Sequence, residues 1–309
     1  MTVLIVGSVA FDDLDGPHGK RTDVLGGSAT YASVAASFFS RVALVAVVGE
    51  DFPESAMSML AGKGVDLVGL ERVPGRTFRW SGRYSDDLAS RTTLDTQLNV
   101  FESFRPALSD SHRATPYVML GNIHPTLQRD VVSQCEGRRF VIADTMNFWI
   151  EGQNAALRET LRHIDALVIN EEEARMLSGA HNIVRAAEAI RAMGPRIVAI
   201  KRGEYGAIVF EPDGVFVAPA YPVRDVVDPT GAGDTFAGGF LGYLAHASEV
   251  TPATLRHAVV VGTTLASFCV EDFGLDRLVR VTRSEIAARY RELARIVHFA
   301  TEDEVARFA

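Results

Sequence analysis

Lysine is almost missing from this chain: Lys20, Lys63 and Lys201 are the only three among 31 basic residues. The imbalance towards arginine reads as codon usage before chemistry. Cysteine is as scarce, with Cys135 and Cys269 alone. Two thiols cannot build the disulfide framework of a small secreted domain, so a reducing compartment is expected. Both read as small buried hydrophobes, the common fate of a free cysteine. No apolar run approaches the ~18 residues that span a bilayer. The start, Met-Thr-Val-Leu-Ile-Val-Gly-Ser, lacks the basic stretch and cleavage site of a signal peptide and reads as a first buried strand. A cytoplasmic location is expected. The net charge of −8 argues against nucleic acid and membrane surfaces as partners. No repeat of 20–50 residues and no low-complexity segment breaks the chain.

What is present is 309 residues, 47% of them hydrophobic, enough for a large core in one or two domains. Short apolar runs at 3–7, 43–48, 67–72, 117–120, 139–143, 166–169, 197–201 and 206–210 predict strands. Helical periodicity covers 28–39, 53–63, 126–135, 152–163, 171–178, 183–193, 234–246, 252–269 and 283–297. Hydrophobic strands alternating with helices predict an α/β fold with a mainly parallel sheet covered on both faces. Residues 11–24 and 76–101 break the rhythm. They hold Phe-Arg-Trp-Ser-Gly-Arg-Tyr and Thr-Thr-Leu-Asp-Thr-Gln-Leu-Asn-Val, which alternate at period two and predict a small half-exposed sheet beside the main body, a lid or a dimer surface.

The most informative stretch is 224–244. Gly231-Ala232-Gly233 follows a strand-like segment, and Asp234 opens an apolar helical run through Phe236, Phe240, Leu241 and Leu244. Small residues let backbone N–H groups converge, and a helix N-terminus adds partial positive charge, so the turn suits an anion. A carboxylate would compete with phosphate for that pocket. Asp234 therefore points instead at the phosphate acceptor and takes its proton. An ordinary helix entry, with Asp234 only complementing the dipole, is the bland alternative. Two other nucleotide motifs fail: Gly16-Pro-His-Gly-Lys-Arg21 has Leu14 and Arg21 where a P-loop needs glycine and Ser or Thr, and Phe236 stands where a dinucleotide fingerprint needs glycine.

The full run Asp228-Pro-Thr-Gly-Ala-Gly-Asp-Thr-Phe236, with Gly238-Gly239 one turn later, resembles the second signature of the ribokinase-like carbohydrate kinases, the PfkB family. The resemblance implies a single ribokinase-like domain over 1–309, a mainly parallel central sheet flanked by helices, with a β-lid inserted from about 11–24 and 76–101 that closes over the sugar and offers a homodimer surface. It implies transfer of the γ-phosphoryl of ATP to a hydroxyl of a sugar, polyol or nucleoside. Asp234 is then the general base, with the N–H groups of Gly231, Ala232 and Gly233 forming an anion hole.

Further segments fit the same family. Asn170-x-x-Glu173 reads from the residues alone as a capping-box variant. The resemblance makes Asn170 and Glu173 holders of hydrated Mg²⁺ and the ATP phosphates, and magnesium does favour oxygen ligands and retained water. Lys201 and Gly203 lie in a glycine turn that borders the nucleotide in relatives. Gly206 closes that turn, and Asp213-Gly214 predicts a hairpin between 206–210 and 215–218. Thr230 and Asp228 resemble positions at a monovalent-cation loop, implying K⁺. His257, Val260 and Thr264 would supply part of an adenine wall.

On the acceptor side Gly26-Gly27 resembles the family's first signature, but Tyr31 stands where the relatives carry asparagine. A tyrosine there favours stacking or one hydroxyl contact, which turns the expected acceptor away from plain ribose. Asp12 matches an acid that accepts hydrogen bonds from sugar hydroxyls, with Ala10 in place of the usual preceding asparagine, and Val48-Gly-Glu-Asp51 matches a further segment except for Glu54. Asn122 and His124 end a strand where open α/β sheets bind ligands, His124 being the more ordinary hydrogen-bonded loop residue. Nothing has zinc-ligand spacing. A nucleoside kinase is the nearest alternative. A regulatory sugar-binding protein without turnover is the other, against which an intact Asp234 speaks.

Overall fold

A computed structural model describes residues 1–298. In chain order the strands are β1 (Thr2–Val6), β2 (Ala10–Gly16), β3 (Gly19–Gly26), β4 (Arg41–Gly49), β5 (Val65–Val73), β6 (Phe78–Tyr84) and β7 (Arg91–Gln97). They continue as β8 (Tyr117–Leu120), β9 (Phe140–Asp144), β10 (Ala166–Asn170), β11 (Ile197–Lys201), β12 (Ala207–Glu211) and β13 (Gly214–Ala218). Nine of them form one sheet in the order β13-β12-β11-β10-β9-β8-β1-β4-β5. It is parallel except at the β11–β12 and β12–β13 pairings, and the Glu211↔Gly214 pair puts the hairpin turn at Pro212-Asp213, one residue before the expected Asp213-Gly214. The architecture is the expected α/β fold with a mainly parallel central sheet.

The apolar runs follow from double-sided burial. Along β1, Val3 and Ile5 join the core beneath one helical layer, while Leu4 and Val6 join the core on the opposite face. In β4, Val42, Leu44, Ala46 and Val48 face one way and Ala43, Val45 and Val47 the other. Successive side chains of a strand point to opposite faces, so a strand buried on both faces must be apolar throughout.

The remaining strands build the lid in the order β3-β2-β6-β7. Its outward face carries the ion pairs Arg79–Asp23 at 2.6 Å, Arg83–Asp15 at 2.8 Å and Lys20–Asp15 at 3.4 Å. That face is charged rather than apolar, and β7 is exposed along its whole length.

Two helices lie side by side on the inner face. One runs Ser28–Ser37 after Gly26-Gly27, the Gly-Gly helix. The other runs Ala232–Ala247, the Asp234 helix. Their seam is made by missing side chains: a Cβ on Gly238 would collide with the Ala32 carbonyl, and one on Gly242 would fall 2.7 Å from Ala36 Cα. On its other side the Asp234 helix meets Gly262 of helix Pro252–Cys269, whose own Cβ would fall 2.7 Å from Phe236 O.

The helix expected over 152–163 runs Asn154–Leu161, and a short helix that was not expected, Asn147–Gly152, precedes it. Gly152 and Asn154 are poor helix-interior residues, and the chain breaks between them. Short helices at Asp110–Arg113 and Asp276–Arg280 are too brief to leave a periodic signal. No helix among the described residues is long and apolar enough to cross a membrane.

Gly238→Ala should lower unfolding stability by about 1–3 kcal/mol, the usual cost of overpacking, where an exposed helical glycine would gain from the same change. A urea melt showing equal or greater stability would mean that the two helices can part at little cost.

Candidate active site

The site lies at the carboxyl ends of the parallel strands, where the N-termini of the Gly-Gly and Asp234 helices converge. Gly231 has φ 74° and caps the Asp234 helix, a left-handed conformation that glycine takes without penalty. The N–H groups of Gly231 and Gly233 make no hydrogen bond among the described residues, whereas that of Ala232 donates to Pro229 O at 3.2 Å. Of the three donors expected of the anion hole, two are open and Ala232 is spent on closing its own turn. Asp234 sits in the first helical turn. Burial, then the negative charge of Asp144, push its carboxyl up to about 7, against the pull of Lys201 and Arg91.

Asn170 and Glu173 form the full capping box: Asn170 Oδ1 accepts from Glu173 N–H at 2.8 Å, and Glu173 Oε2 accepts from Asn170 N–H at 3.0 Å. The capping reading holds, and Glu173 Oε1 makes no hydrogen bond among the described residues. Burial and repulsion from Asp144 lift the Glu173 carboxyl to about 7. Its neighbour Glu171 is committed to Arg175 and Arg202. Lys201 lies 3.4 Å from Asp144, and its ammonium is the nearest atom to any Cβ placed on Gly233. Burial by itself would lower the Lys201 ammonium, but Asp144, Glu173 and Asp234 outweigh it and hold the charge. Lys201 is therefore placed directly against the anion turn.

Asp144 was absent from the sequence reading. An acid closing the buried run Phe-Val-Ile-Ala-Asp at the ligand end of β9 was the signal available. No group of three or more His, Cys, Asp or Glu placed to hold a metal occurs among the described residues.

Several expectations are corrected on this side. Gly203 opens onto free space at φ 56°, but Gly206 is a glycine because the backbone of Ala218–Ala220 passes behind it. Thr264 is wholly buried and bonds Val260 O within its own helix, and His257 pairs with Tyr290, so they do not form one open wall. Asp228, expected at a cation loop, accepts N–H bonds from Thr230 at 2.9 Å and Gly274 at 3.0 Å, so its carboxylate ties two loops together.

The acceptor side is organised by space. Gly26 is a glycine because the Asp12 carboxylate occupies the position of its Cβ. Asp12 is 5% exposed and accepts no hydrogen bond among the described residues. Burial, then the charges of Asp228 and Asp234, push it up to about 8. Gly27 caps the Gly-Gly helix at φ 91°, with Ser8 O behind it.

Tyr31 does not line an open pocket. It is 1% exposed in the inner-face core, and its hydroxyl finds no partner. Asn122 is half-buried and its amide is partly engaged: its Oδ1 accepts from Trp149 Nε1 at 2.8 Å and its Nδ2 meets Met146 Sδ at 3.0 Å. His124 caps the helix Pro125–Gln134 through Nδ1, the ordinary reading.

The lid brings three groups that the sequence did not single out. Tyr84 hydroxyl bonds Thr230 Oγ1 at 2.8 Å, next to the anion turn. Arg91 is its cross-strand partner, so both point to the same face, and Arg91 stacks over Trp80 at 5.3 Å. Trp80 in turn pairs in register with Asp12. The positive charge of Arg91 reaches Asp12, Asp234 and Glu173 alike. Arg91 lacks a local motif, and only the hairpin pairing puts it over the site.

Residues 8–280 match the pfkB family carbohydrate kinases. The chain belongs to the PfkB family. Among curated relatives of this kinase, a cytidine kinase from Thermococcus kodakarensis is 30% identical over 248 residues, 78% of this chain and 87% of that protein. A 2-dehydro-3-deoxygluconokinase from Thermoproteus tenax is 27% identical over 279 residues, 77% and 79% of the two chains. The fold matches the nucleoside kinase of Methanocaldococcus jannaschii with TM-score 0.76 at 20% identity, covering 94% of this chain and 98% of that one. A fructokinase from Vibrio cholerae, bound to fructose, ADP and calcium, gives TM-score 0.78 at 21% identity over 94% and 98%. The enzyme is a phosphotransferase with a hydroxyl acceptor.

A buried carboxyl raised to about 8 from 3.8 destabilises the fold. Between those two pH values the folded kinase binds a proton that the unfolded chain has released, so stability falls as pH rises. Asp12→Asn should therefore raise Tm by at least about 2 °C at pH 8, with the gain shrinking towards pH 4. An equal gain at pH 5 and pH 8 would show that Asp12 is not held protonated by burial.

Proposed function

We propose that this kinase transfers the γ-phosphoryl group of ATP to a hydroxyl of a sugar-like small molecule, with Asp234 as general base. The observation that carries the reading is the pairing of a carboxyl lifted to about 7 with the open N–H groups of Gly231 and Gly233 in one helix turn, Lys201 beside them. A base near neutrality is matched to abstracting a hydroxyl proton. Donors aimed at the transferred group stabilise the charge it develops. Asp12, without an internal partner, accepts from acceptor hydroxyls.

Asp12, Asp144, Glu173, Asp228 and Asp234 outnumber Lys201 and Arg91, so a triphosphate needs further positive charge to enter. The oxygens of Glu173 and Asp144 fit a hydrated Mg²⁺, which would offset phosphate charge when bound. Glu173 takes one water-side role through Oε1 while Oε2 keeps the cap. K⁺ at the Asp228 loop is carried only by likeness to relatives, since that carboxylate is already engaged.

One observation favours a nucleoside as the acceptor. Trp80 pairs in register with Asp12 across the lid strands and so lies on the same face, and the cytidine kinase relative matches over most of its length. A panel of sugars, polyols and nucleosides with ATP, read by ADP release, separates the two.

Asp234→Asn keeps shape and removes the base, so turnover should fall by at least about 10²-fold with ATP binding retained. In the parent, kcat/KM should rise with pH through about 7, because only the ionised form of the raised carboxyl accepts a proton. Near-normal turnover of the variant, or an acid limb near pH 4, would sink the assignment. Glu173→Gln can still accept the Asn170 N–H bond, so the cap survives while the charge goes. The half-saturating Mg²⁺ concentration should rise about 10-fold, while Tm does not fall and gains at neutral pH, because burial also raises the Glu173 carboxyl. A lower Tm with an unmoved Mg²⁺ titration would leave Glu173 as a cap alone.

A further inference from the structure

Tyr31 carries a titratable group into the core and has no part in the chemistry above. Its position is unusually defined. A Cβ placed on Gly231 would sit at one common distance from Cδ1, Cε1 and Cε2 of Tyr31. A point equidistant from three atoms of a six-membered ring lies on the ring axis. The anion turn therefore rests, through Gly231 Cα, on the centre of the tyrosine face. Tyr31 itself is held by its N–H bond to Gly27 O at 3.3 Å and by the Gly-Gly helix, which the glycine seam presses against the Asp234 helix. The hydroxyl points away towards Gly274 and is enclosed without a partner.

Resting on the kinase reading, we infer that Tyr31 is a positioning residue for the phosphoryl anion hole: its ring is the plinth that sets the height of Gly231 and Gly233 N–H, and its hydroxyl is dispensable. The ring also fills the space from which a side chain at this position could reach an acceptor, leaving recognition to Asp12, the Gly26-Gly27 backbone and the lid. Without the plinth the turn can sink, and misplacement by an ångström at a reacting centre costs on the order of 10²-fold in rate.

The test compares Tyr31→Phe, Tyr31→Ala, Gly231→Ala and the double variant Tyr31→Ala/Gly231→Ala, using ATP with the best acceptor from the panel and recording kcat, both KM values and Tm. Tyr31→Phe should keep kcat within about 3-fold, because the ring remains. Tyr31→Ala should lose about 10- to 100-fold in kcat per folded enzyme while both KM values stay within about 3-fold. Gly231→Ala should cost less in the Tyr31→Ala background than in the parent, since the ring it would strike is gone. A merely structural tyrosine would lower Tm and leave kcat in place. Parental kcat in Tyr31→Ala, a loss in Tyr31→Phe equal to that in Tyr31→Ala, or strictly additive effects would each overturn the inference. If the parent itself transfers phosphate to no acceptor, the kinase reading fails first and the role of Tyr31 falls with it.

Discussion

The structure turns on one contact, the close seam between the Gly-Gly helix and the Asp234 helix. Both helices are individually unremarkable as secondary structure, yet each begins with the backbone that the chemistry needs. Pressing Gly238 onto the Ala32 carbonyl and Gly242 onto Ala36 fixes where the two N-termini sit relative to one another. Close-packed interiors yield little, so a shift along this seam would move the acceptor loop and the anion turn together. The seam also explains the glycines of the Asp234 helix, which would otherwise weaken it. Their cost in helix propensity is offset by backbone approach that no residue with a Cβ allows.

A second constraint is electrostatic. Asp12, Glu173, Asp228 and Asp234 are all raised by burial before any partner is counted. Each is therefore a site where the folded state is strained at neutral pH, and among the described residues the cations whose charge reaches Asp12, Glu173 or Asp234 are Lys201 and the lid's Arg91. The two thiols are inert: Cys135, away from the site, and Cys269, whose Sγ meets Thr230 O at 3.5 Å, are pushed up to about 11 and about 12 by burial and stay protonated. Proteins tolerate such strain where function needs it and where the surrounding core over-determines the geometry.

Much of this was readable in the residues, for a physical reason. Strands buried on both faces leave uninterrupted apolar runs, and nearly every main-sheet strand was placed within a residue or two. The turn at Gly231–Asp234 was legible because glycine spacing, a helix start and a first-turn acid are local facts. What was not legible depends on tertiary pairing. Arg91 lies in an exposed lid strand and acquires meaning only as the cross-strand partner of Tyr84. Asn122 looked free because nothing local shows Trp149 arriving to occupy its amide. Tyr31 was read as a ligand contact from its position in a motif, and only the glycine opposite it reveals that its face is already covered.

The lid shows how unevenly the site is anchored. Strand β2 contributes Phe11 and Leu14 to the interior, and its Asp12 is buried. Strand β6 is joined to the main body through Tyr84 and Thr230. Strand β7 has no buried residue, pairs only with β6, and forms the free edge of the sheet. The ion pairs across the outward face are exposed and screened by solvent, so they hold it weakly. Local stability tracks buried contact, so the edge that carries Arg91 is the part of the site held least firmly. The fixed floor thus supplies geometry through Gly231, Gly233 and Asp234, while one of its two counter-charges arrives on the element with the least to hold it.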